Sequence, residues 1–160
     1  MRILIISDSH GHDSNVRKAI QKEAPLDGLI HLGDSQGSEE HIQQMAGCPV
    51  YMVAGNCDYF TDLPAVRFVE FGKYRIMITH GHHYYVSVGP QDLLEEAKTN
   101  GCNIVIYGHT HRPLMDDTDG EVLVLNPGSI SFPRQEGKHP SYMVMEIDEA
   151  GEAHFRLNYL

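Results

Sequence analysis

Short runs of aliphatic and β-branched residues alternate with amphipathic stretches in the first third of the chain. Uninterrupted apolar runs predict three buried strands, over Arg2–Ser7, Gly28–Leu32 and Val50–Ala54. Between the strands, apolar residues at three- and four-residue spacing predict two helices, one N-capped by Ser14 and running to about Ala24, the other over Ser38–Ala46. This strand–helix order predicts a parallel sheet with helical crossovers.

The pattern changes after Pro64, where pairs of short strands flank turn sequences. The predicted strands are Val66–Phe71, Arg75–Thr79, Ile104–Tyr107, Leu114–Asp117, Val122–Leu125, Tyr142–Ile147 and Glu152–Asn158. One further helix is predicted over Gln91–Thr99, because its apolar positions recur at helical spacing. No repeat, linker or low-complexity segment divides the chain. We therefore expect a single domain over residues 1–160, with two sheets packed face to face and helices outside.

Composition and charge exclude several classes of protein. The 160 residues are 41% hydrophobic and 21% charged, an ordinary globular balance, and no apolar run approaches the roughly 20 residues of a membrane span. The three cysteines (Cys48, Cys57 and Cys102) lack CxxC spacing, which favours reduced thiols in the cytoplasm and excludes a zinc ribbon. The net charge of −10 disfavours long duplex nucleic acid as a partner.

Histidine is unusually frequent, and polar residues follow the predicted strands in short glycine-containing motifs. The chain has 11 histidines against 12 lysines and arginines together. The motifs contain Asp8 and His10, Gly33-Asp34, Gly55-Asn56, His80-Gly81, and Gly108-His109-Thr110-His111. Each motif alone is more often a turn or a solvated loop. Because all five follow strands, whose carboxyl ends can meet at one crevice, together they indicate a binding site.

The donor atoms of these motifs favour two metal ions. Two carboxylates, one amide oxygen and four imidazoles are too many ligands for one tetrahedral zinc, and none is a thiolate. A carboxylate can bridge two ions, and paired ions about 3.5–4 Å apart assist in-line displacement at phosphorus. The spacing of two residues between Asp8 and His10, and between His109 and His111, places both side chains on one face if the backbone is extended.

In their order, these motifs resemble those of the calcineurin-like metallophosphoesterases. The chain is most similar to the small bacterial and archaeal phosphodiesterase branch, and the resemblance extends from Met1 to the terminal hairpin, including Asn126-Pro127-Gly128-Ser129. It implies a four-layer α/β/β/α sandwich of two mixed β-sheets flanked by helices. It also implies a centre with two divalent metal ions, for which manganese is the first expectation and nickel, iron, cobalt or zinc the alternatives.

Carried over residue by residue, the resemblance assigns Asp8, His10, Asp34 and His111 to the first metal. Asp34 would bridge to the second ion, which Asn56, His80 and His109 complete. A hydroxide shared by the ions would attack the phosphorus of a small phosphate ester. The two ions would also make the pocket cationic inside an acidic protein, which suits a small anionic substrate.

The chain departs from many relatives at Cys57, where those proteins carry a histidine that acts as general acid. A thiol is a poor geometric substitute for imidazole, so we expect low intrinsic activity and a preference for diesters with good leaving groups. The predicted catalytic residues are Asn56, Cys57 and His82, and the predicted substrate-binding residues are His12, Asn126 and Arg134. Most of these residues could instead have a purely structural role. Cys57 would then be a small packed side chain, His12 and His82 would be supporting loop histidines, and Arg134 would be a surface charge.

The sequence alone does not decide between three functions. The first is a metal-dependent phosphodiesterase acting on small phosphate esters. The second is a phosphomonoesterase or nuclease that uses the same site. The third is a non-catalytic interaction scaffold, which is weaker because every ligand position holds a competent residue. The resemblance further suggests a small homo-oligomer, and nothing in the sequence indicates a membrane partner.

Overall fold

The predicted strands and helices form two five-stranded sheets flanked by three helices. A computed structural model describes all 160 residues. In chain order the elements are β1 (Arg2–Ile6), α1 (Asp13–Glu23), β2 (Gly28–His31), α2 (Glu39–Ala46), β3 (Val50–Met52), β4 (Val66–Phe71), β5 (Tyr74–Thr79), α3 (Gln91–Thr99), β6 (Ile104–Tyr107), β7 (Pro113–Asp116), β8 (Leu123–Pro127), β9 (Ser141–Ile147) and β10 (Ala153–Tyr159), with a 3₁₀ turn at His82–Tyr84. No helix has the length and apolar character needed to cross a bilayer.

Both sheets are mixed. The first has the order β10-β9-β1-β2-β3, in which β1, β2 and β3 are parallel and β9 and β10 are antiparallel. The second has the order β4-β5-β6-β8-β7, with a parallel centre and antiparallel strands at both edges. The parallel strands of the two sheets supply the strand ends from which the polar motifs emerge.

The alternation of side chains along β1 explains how the layers are held together. Ile3 and Ile5 belong to the core between the two sheets, where they meet residues of the second sheet such as Ile76. Leu4 and Ile6 face the opposite way and pack against α1 and α2. Since burial of one such side chain contributes about 1.5–3 kcal/mol, both faces of β1 stabilise the fold. The helix α3 covers the second sheet in the same manner, and the predicted four-layer sandwich is confirmed.

The predicted element boundaries are less accurate than the elements themselves. The N-cap of α1 is His12 and not Ser14, because the loop from Ser9 turns into the helix two residues earlier than expected. Ser38 occupies the N-cap position of α2 but makes no side-chain cap hydrogen bond. The 3₁₀ turn at His82–Tyr84 was not predicted, since three residues are too few to show a periodicity.

Candidate metal centre

Five loops bring the predicted ligands together at the carboxyl ends of β1, β2, β3, β5 and β6. Hydrogen bonds between backbone groups join these loops directly. Asp8 N–H donates to Gly33 O at 3.1 Å, His10 N–H donates to Asp34 O at 2.8 Å, and Gly108 N–H donates to His80 O at 3.1 Å. The expectation that these motifs meet in one crevice agrees with the structure, which places ligands from both sheets side by side.

The backbone at the ligands is left-handed, so the extended conformation on which the side-chain pairing was argued does not occur. Asp8, His10, Asp34, His109 and His111 all have φ between 47° and 65°. The two side chains of each pair therefore converge through tight turns and not through the pleat of a strand. Left-handed backbone costs a residue with a Cβ on the order of 1 kcal/mol, and such strain is characteristic of functional sites.

Asp8 is the centre of the first group of donors. Its side chain is fully buried, and Oδ2 accepts hydrogen bonds from Ser7 Oγ at 2.5 Å and from His109 N–H at 3.2 Å. Oδ1 accepts no hydrogen bond. Instead, Nε2 of His111 lies 3.0 Å away and Nε2 of His10 lies 3.9 Å away. A buried carboxylate oxygen that has no hydrogen-bond donor and is surrounded by ring nitrogens is the arrangement expected around a cation.

The ring orientation of two histidines is set by backbone carbonyls. His80 Nδ1 lies 2.6 Å from Leu32 O, and His111 Nδ1 lies 2.6 Å from Phe132 O. Because a carbonyl only accepts, each Nδ1 carries the proton and each Nε2 presents a lone pair to the centre of the site. This is the usual outer support of a metal-bound imidazole.

A second group of donor atoms that could bind a metal surrounds Asn56. Its Oδ1 lies 3.1 Å from His80 Nε2 and 3.0 Å from His109 Nδ1, and Asp34 Oδ2 lies 3.5 Å from the same nitrogen of His80. Asp34 also approaches His10 Nε2 to 3.8 Å, so its carboxylate stands between the two groups. Close acceptors of this kind repel one another unless a proton or a cation lies between them.

Electrostatics in the site depends on the contact between Asp8 and His111. Burial acts to raise the pKa of Asp8, but the neighbouring His111 and His80 outweigh it and hold that pKa below its usual value. Burial acts to lower the pKa of His111, yet the Asp8 carboxylate raises it. The pKa values of His10 and His109 are lowered, chiefly by burial, which favours the neutral imidazoles that metals bind.

The residues present therefore fit divalent metal ions. Donor atoms within 4.8 Å of one another form three groups: Asp8, His10 and His111; Asp8, Asp34 and His80; and His10, Asp34 and Cys57. Together with Asn56 and His109, all seven predicted ligands lie in the same place. Carboxylate, amide and imidazole donors suit manganese, iron, cobalt, nickel and zinc alike.

Asp58 supports this site, although no role for it was predicted from the sequence. Its carboxylate accepts the N–H groups of Asp34 and Gln36, both at 2.7 Å, and of Gly55 at 2.8 Å. Burial alone would raise the pKa of Asp58, but these donors hold it below the usual range. One side chain thus joins the loop of Asp34 to the loop of Asn56. The only signal in the sequence was its place directly after Gly55-Asn56-Cys57.

His31, in β2, supports the loops around the site through its hydrogen bonds. The ring is fully buried, Nδ1 accepts from Gly33 N–H at 3.2 Å, and Nε2 therefore donates to Ser9 Oγ at 3.0 Å. Burial lowers the pKa of His31 to about 4, so the ring is neutral near pH 7. It connects the turn after β1 with the turn after β2.

The predicted catalytic residues other than Asn56 lie at the edge of the centre. Cys57 N–H donates to Asp34 Oδ1 at 2.7 Å, and its Sγ lies 3.3 Å from Asn56 Nδ2. Burial and the nearby Asp34 raise the pKa of the thiol to about 11. His82 stacks on His83, has a buried Nδ1 without a partner, and has a pKa lowered to about 4, chiefly by burial. His82 is thus a neutral ring near the second group of donors.

The predicted substrate-binding residues separate into two kinds. Asn126 is fully buried, donates to Gly108 O and Thr110 Oγ1, and accepts from Gly128 N–H. The prediction that it binds substrate is not supported, because its amide is committed to bracing the loop of His109. His12 and Arg134 line a cavity of about 520 Å³ next to His10 and His111. Phe132, which the sequence analysis missed, stacks edge-on against His10 and His12 in that cavity.

The protein is a four-layer α/β/β/α sandwich with Asp, Asn and His side chains clustered at its strand ends. This architecture is that of a class of metal-dependent esterases, and comparison with known proteins identifies the family. The profile of the calcineurin-like phosphoesterase superfamily domain matches residues 1–150. The chain belongs to this family, as the sequence motifs indicated.

Individual relatives agree with that assignment. The chain is 34% identical over 147 residues to Phosphodiesterase MJ0936 of Methanocaldococcus jannaschii, covering 80% of this chain and 83% of that protein. The crystal structure of a predicted phosphoesterase from Streptococcus pneumoniae superposes with a TM-score of 0.83 at 31% identity, covering 99% of this chain and 88% of the other. Vps29 of Entamoeba histolytica, solved in complex with zinc, shares the fold alone, with a TM-score of 0.78 at 20% identity and 99% of each chain covered.

Proposed function

We propose that the protein is a metal-dependent phosphodiesterase that hydrolyses small phosphate esters at a centre of two divalent ions. The observation that carries this proposal is Asp8 Oδ1, a buried oxygen without a hydrogen bond, which ring nitrogens of His10 and His111 approach to 3.9 and 3.0 Å. The name of the archaeal relative, Phosphodiesterase MJ0936, supports the same class of reaction. Manganese is the metal we expect first, with nickel, iron, cobalt or zinc as alternatives.

Asp8, His10, Asp34 and His111 would hold the first ion, and Asp34, Asn56, His80 and His109 the second. When bound, the two ions supply an activated water and neutralise the charge that develops at phosphorus. The chain itself positions the donors. Leu32 O and Phe132 O orient His80 and His111, and Cys57 N–H holds one oxygen of Asp34 so that the other faces the centre. Phe132 and His12 offer an apolar and aromatic wall to an ester substituent.

The proposed site lacks the histidine that would protonate the leaving group. Cys57 occupies the place where many relatives carry histidine, and its thiol belongs to the donor group with His10 and Asp34. We propose that Cys57 packs beside the centre and contributes little acid catalysis, so that aryl esters are cleaved faster than alkyl esters. His82 and His12 are the alternative acids, and replacement of both by alanine tests them together.

Substitution of Cys57 by histidine tests this proposal. We expect Cys57→His to raise kcat on esters with poor leaving groups, by up to the roughly 10²–10⁴-fold that a positioned acid contributes, and to leave p-nitrophenyl esters nearly unchanged. Cys57→Ser is the matched control, because it keeps the size of the side chain without adding an imidazole. Equal rates for the histidine and serine variants on dialkyl phosphates, whose alkoxide leaving groups need a proton, would contradict the assignment.

The proposed activity is tested with bis(p-nitrophenyl) phosphate. Metal-stripped protein is titrated with Mn²⁺, Ni²⁺ and Zn²⁺ beside the variant Asp34→Asn. We expect metal-dependent hydrolysis that the variant reduces by more than the roughly 10–100-fold typical of residues that only support a ligand. A folded protein that hydrolyses nothing with any metal would contradict the proposal. Rates on p-nitrophenyl phosphate and on short single-stranded nucleic acid distinguish a monoesterase or nuclease from the diesterase.

The other functional expectations stay predictions. The net charge of −10 disfavours long duplex nucleic acid, and the small cavity suits a small phosphate ester. The scaffold alternative predicts that Asp34→Asn leaves the biological role intact. That the chain forms a single domain also stays a prediction. Light scattering is the direct measurement of the predicted homo-oligomeric state, and cell fractionation is the direct measurement of the predicted place in the cytoplasm.

A further inference from the structure

A basic cleft lies beside the proposed metal centre. It has a volume of about 380 Å³, and the residues that line it include Arg112, Arg134, Ser87 and Thr110. No carboxylate lines it. In a chain with 22 acidic residues and only 12 lysines and arginines, a cavity with two arginines and no acid has a local charge opposite to that of the whole protein.

The two arginines have no partner inside the protein. Three other arginines pair with glutamates: Arg2 with Glu146, Arg75 with Glu70 and Arg156 with Glu23. The guanidinium groups of Arg112 and Arg134 make neither a salt bridge nor a hydrogen bond, although both line the same cleft. Guanidinium groups with all donors free can bind an oxyanion through paired, charge-assisted hydrogen bonds.

The cleft is continuous with the metal centre along the backbone. Thr110 lies between the proposed ligands His109 and His111, and Arg112 directly follows His111. Arg134 N–H donates to His111 O at 2.9 Å, so the segment of Arg134 is tied to a ligand. Arg134 also lines the neighbouring cavity of about 520 Å³ that contains His10 and His111. One side chain thus forms the boundary between the place of the reacting phosphate and the basic cleft.

We propose that Arg112 and Arg134 bind a second phosphate group of the substrate while the scissile phosphate lies at the metal centre. This inference rests on the proposed function and names its substrate class: phosphate diesters that carry an additional phosphate on one ester substituent. Ser87 lines the same cleft and adds a hydroxyl group that can donate to a phosphate oxygen. Such a substrate gains binding energy that a bare diester lacks.

The test compares two esters that differ only in the second phosphate. Thymidine 5′-(p-nitrophenyl phosphate) and its 3′-phosphorylated form are hydrolysed by the Mn²⁺-loaded wild type and by Arg112→Gln, Arg134→Gln and the double variant. We expect kcat/KM to favour the 3′-phosphorylated ester, and each substitution to reduce that preference about tenfold, as for hydrogen bonds to a charged group. Arg67→Gln is the matched control, since it removes the same charge from β4, the edge of the second sheet opposite β7.

A second readout does not depend on metal or on activity. Inorganic phosphate is added to metal-stripped, ¹⁵N-labelled protein, and the backbone amide signals of Ser87 and Thr110 are expected to shift in the wild type and in Arg67→Gln but not in the double variant. The inference is overturned if the wild type hydrolyses both esters equally well, or if the preference survives in the double variant. If neither ester is hydrolysed with any metal, the proposed function fails, and the phosphate titration alone decides whether the cleft binds an oxyanion.

Discussion

Asp58 shows how a single side chain can organise a site without being one of its proposed metal ligands. Its two carboxylate oxygens accept hydrogen bonds from the backbone of Asp34, Gln36 and Gly55, and Ser35 Oγ adds a contact at 3.3 Å. These bonds fix the left-handed turn at Asp34, which would otherwise relax toward less strained backbone. The geometry of the bridging carboxylate therefore depends on a residue outside the ligand set.

Replacement of Asp58 by asparagine is expected to weaken metal binding. The amide keeps one acceptor oxygen but directs an NH₂ group at backbone donors, so part of the network is lost. We expect Mn²⁺ affinity to fall about 10–100-fold, as is typical when an outer support of a metal site is removed. The measurement is calorimetric titration of metal-stripped protein. Asp62→Asn, an exposed change in the same loop, serves as the control and should bind like the wild type. Equal affinities for both variants would contradict the role of Asp58.

At the scale of residues, the sequence predicted which side chains meet but not how they are held. Asp8, His10, Asp34, His80, His109 and His111 follow strands, and strand ends are recognisable from apolar runs. The contacts of Asp58 and His31 are with backbone N–H groups of neighbouring turns. Their direction depends on positive φ values that no side-chain pattern indicates. The bracing contacts of Asn126 were not predictable for a related reason, because its hydrogen bonds to Gly108 O and Thr110 Oγ1 form only when β6 and β8 lie side by side.

At the scale of elements, the loops that follow β2 and β3 pack in direct contact at Gly33 and Gly55. A Cβ on Gly55 would overlap the Asp34 carboxylate, and one on Gly33 would lie 2.6 Å from Gly55 N. The glycines therefore allow the two loops to approach each other, whereas the sequence alone indicated only that turns occur there. Apolar runs predicted the strands well because both faces of each central strand are buried.

Alanine at position 55 is expected to displace Asp34 and to disrupt metal binding while the sandwich stays folded. The expected result is loss of Mn²⁺-dependent hydrolysis of bis(p-nitrophenyl) phosphate with an unchanged circular dichroism spectrum. Gly151→Ala is the control, since its φ of +82° makes alanine unfavourable by about 1 kcal/mol while no atom lies near the new Cβ. That variant should lose stability and keep activity. Full activity of Gly55→Ala would show that the loops are not packed as described.

At the scale of the whole molecule, stability depends on pH through buried histidine. His31 has a pKa of about 4 in the folded chain, against about 6.5 when unfolded, because burial disfavours its charged form. Between these values the unfolded chain binds more protons, so acidification favours unfolding. The contribution is fully present above pH 6.5, declines as the pH falls, and is lost below about pH 4.

For metal-stripped protein, we expect this histidine alone to lower the free energy of unfolding by about 2 kcal/mol between pH 7 and pH 5. Urea unfolding of wild type and His31→Gln at both pH values measures the effect, and the glutamine variant should lose less stability on acidification. His139→Gln, an exposed substitution, should follow the wild type. Identical losses for all three proteins would mean that His31 is not held neutral in the fold.

The most direct measurement of the central claim is the number of manganese ions that metal-stripped protein binds, determined by equilibrium dialysis and metal analysis. The account predicts two ions per chain in the wild type, and hydrolysis of bis(p-nitrophenyl) phosphate that rises with the second ion. Asp34→Asn, which lacks the carboxylate between both groups of donors, should bind fewer ions at the same concentration. Folded wild-type protein that binds neither Mn²⁺ nor Zn²⁺ would contradict the account.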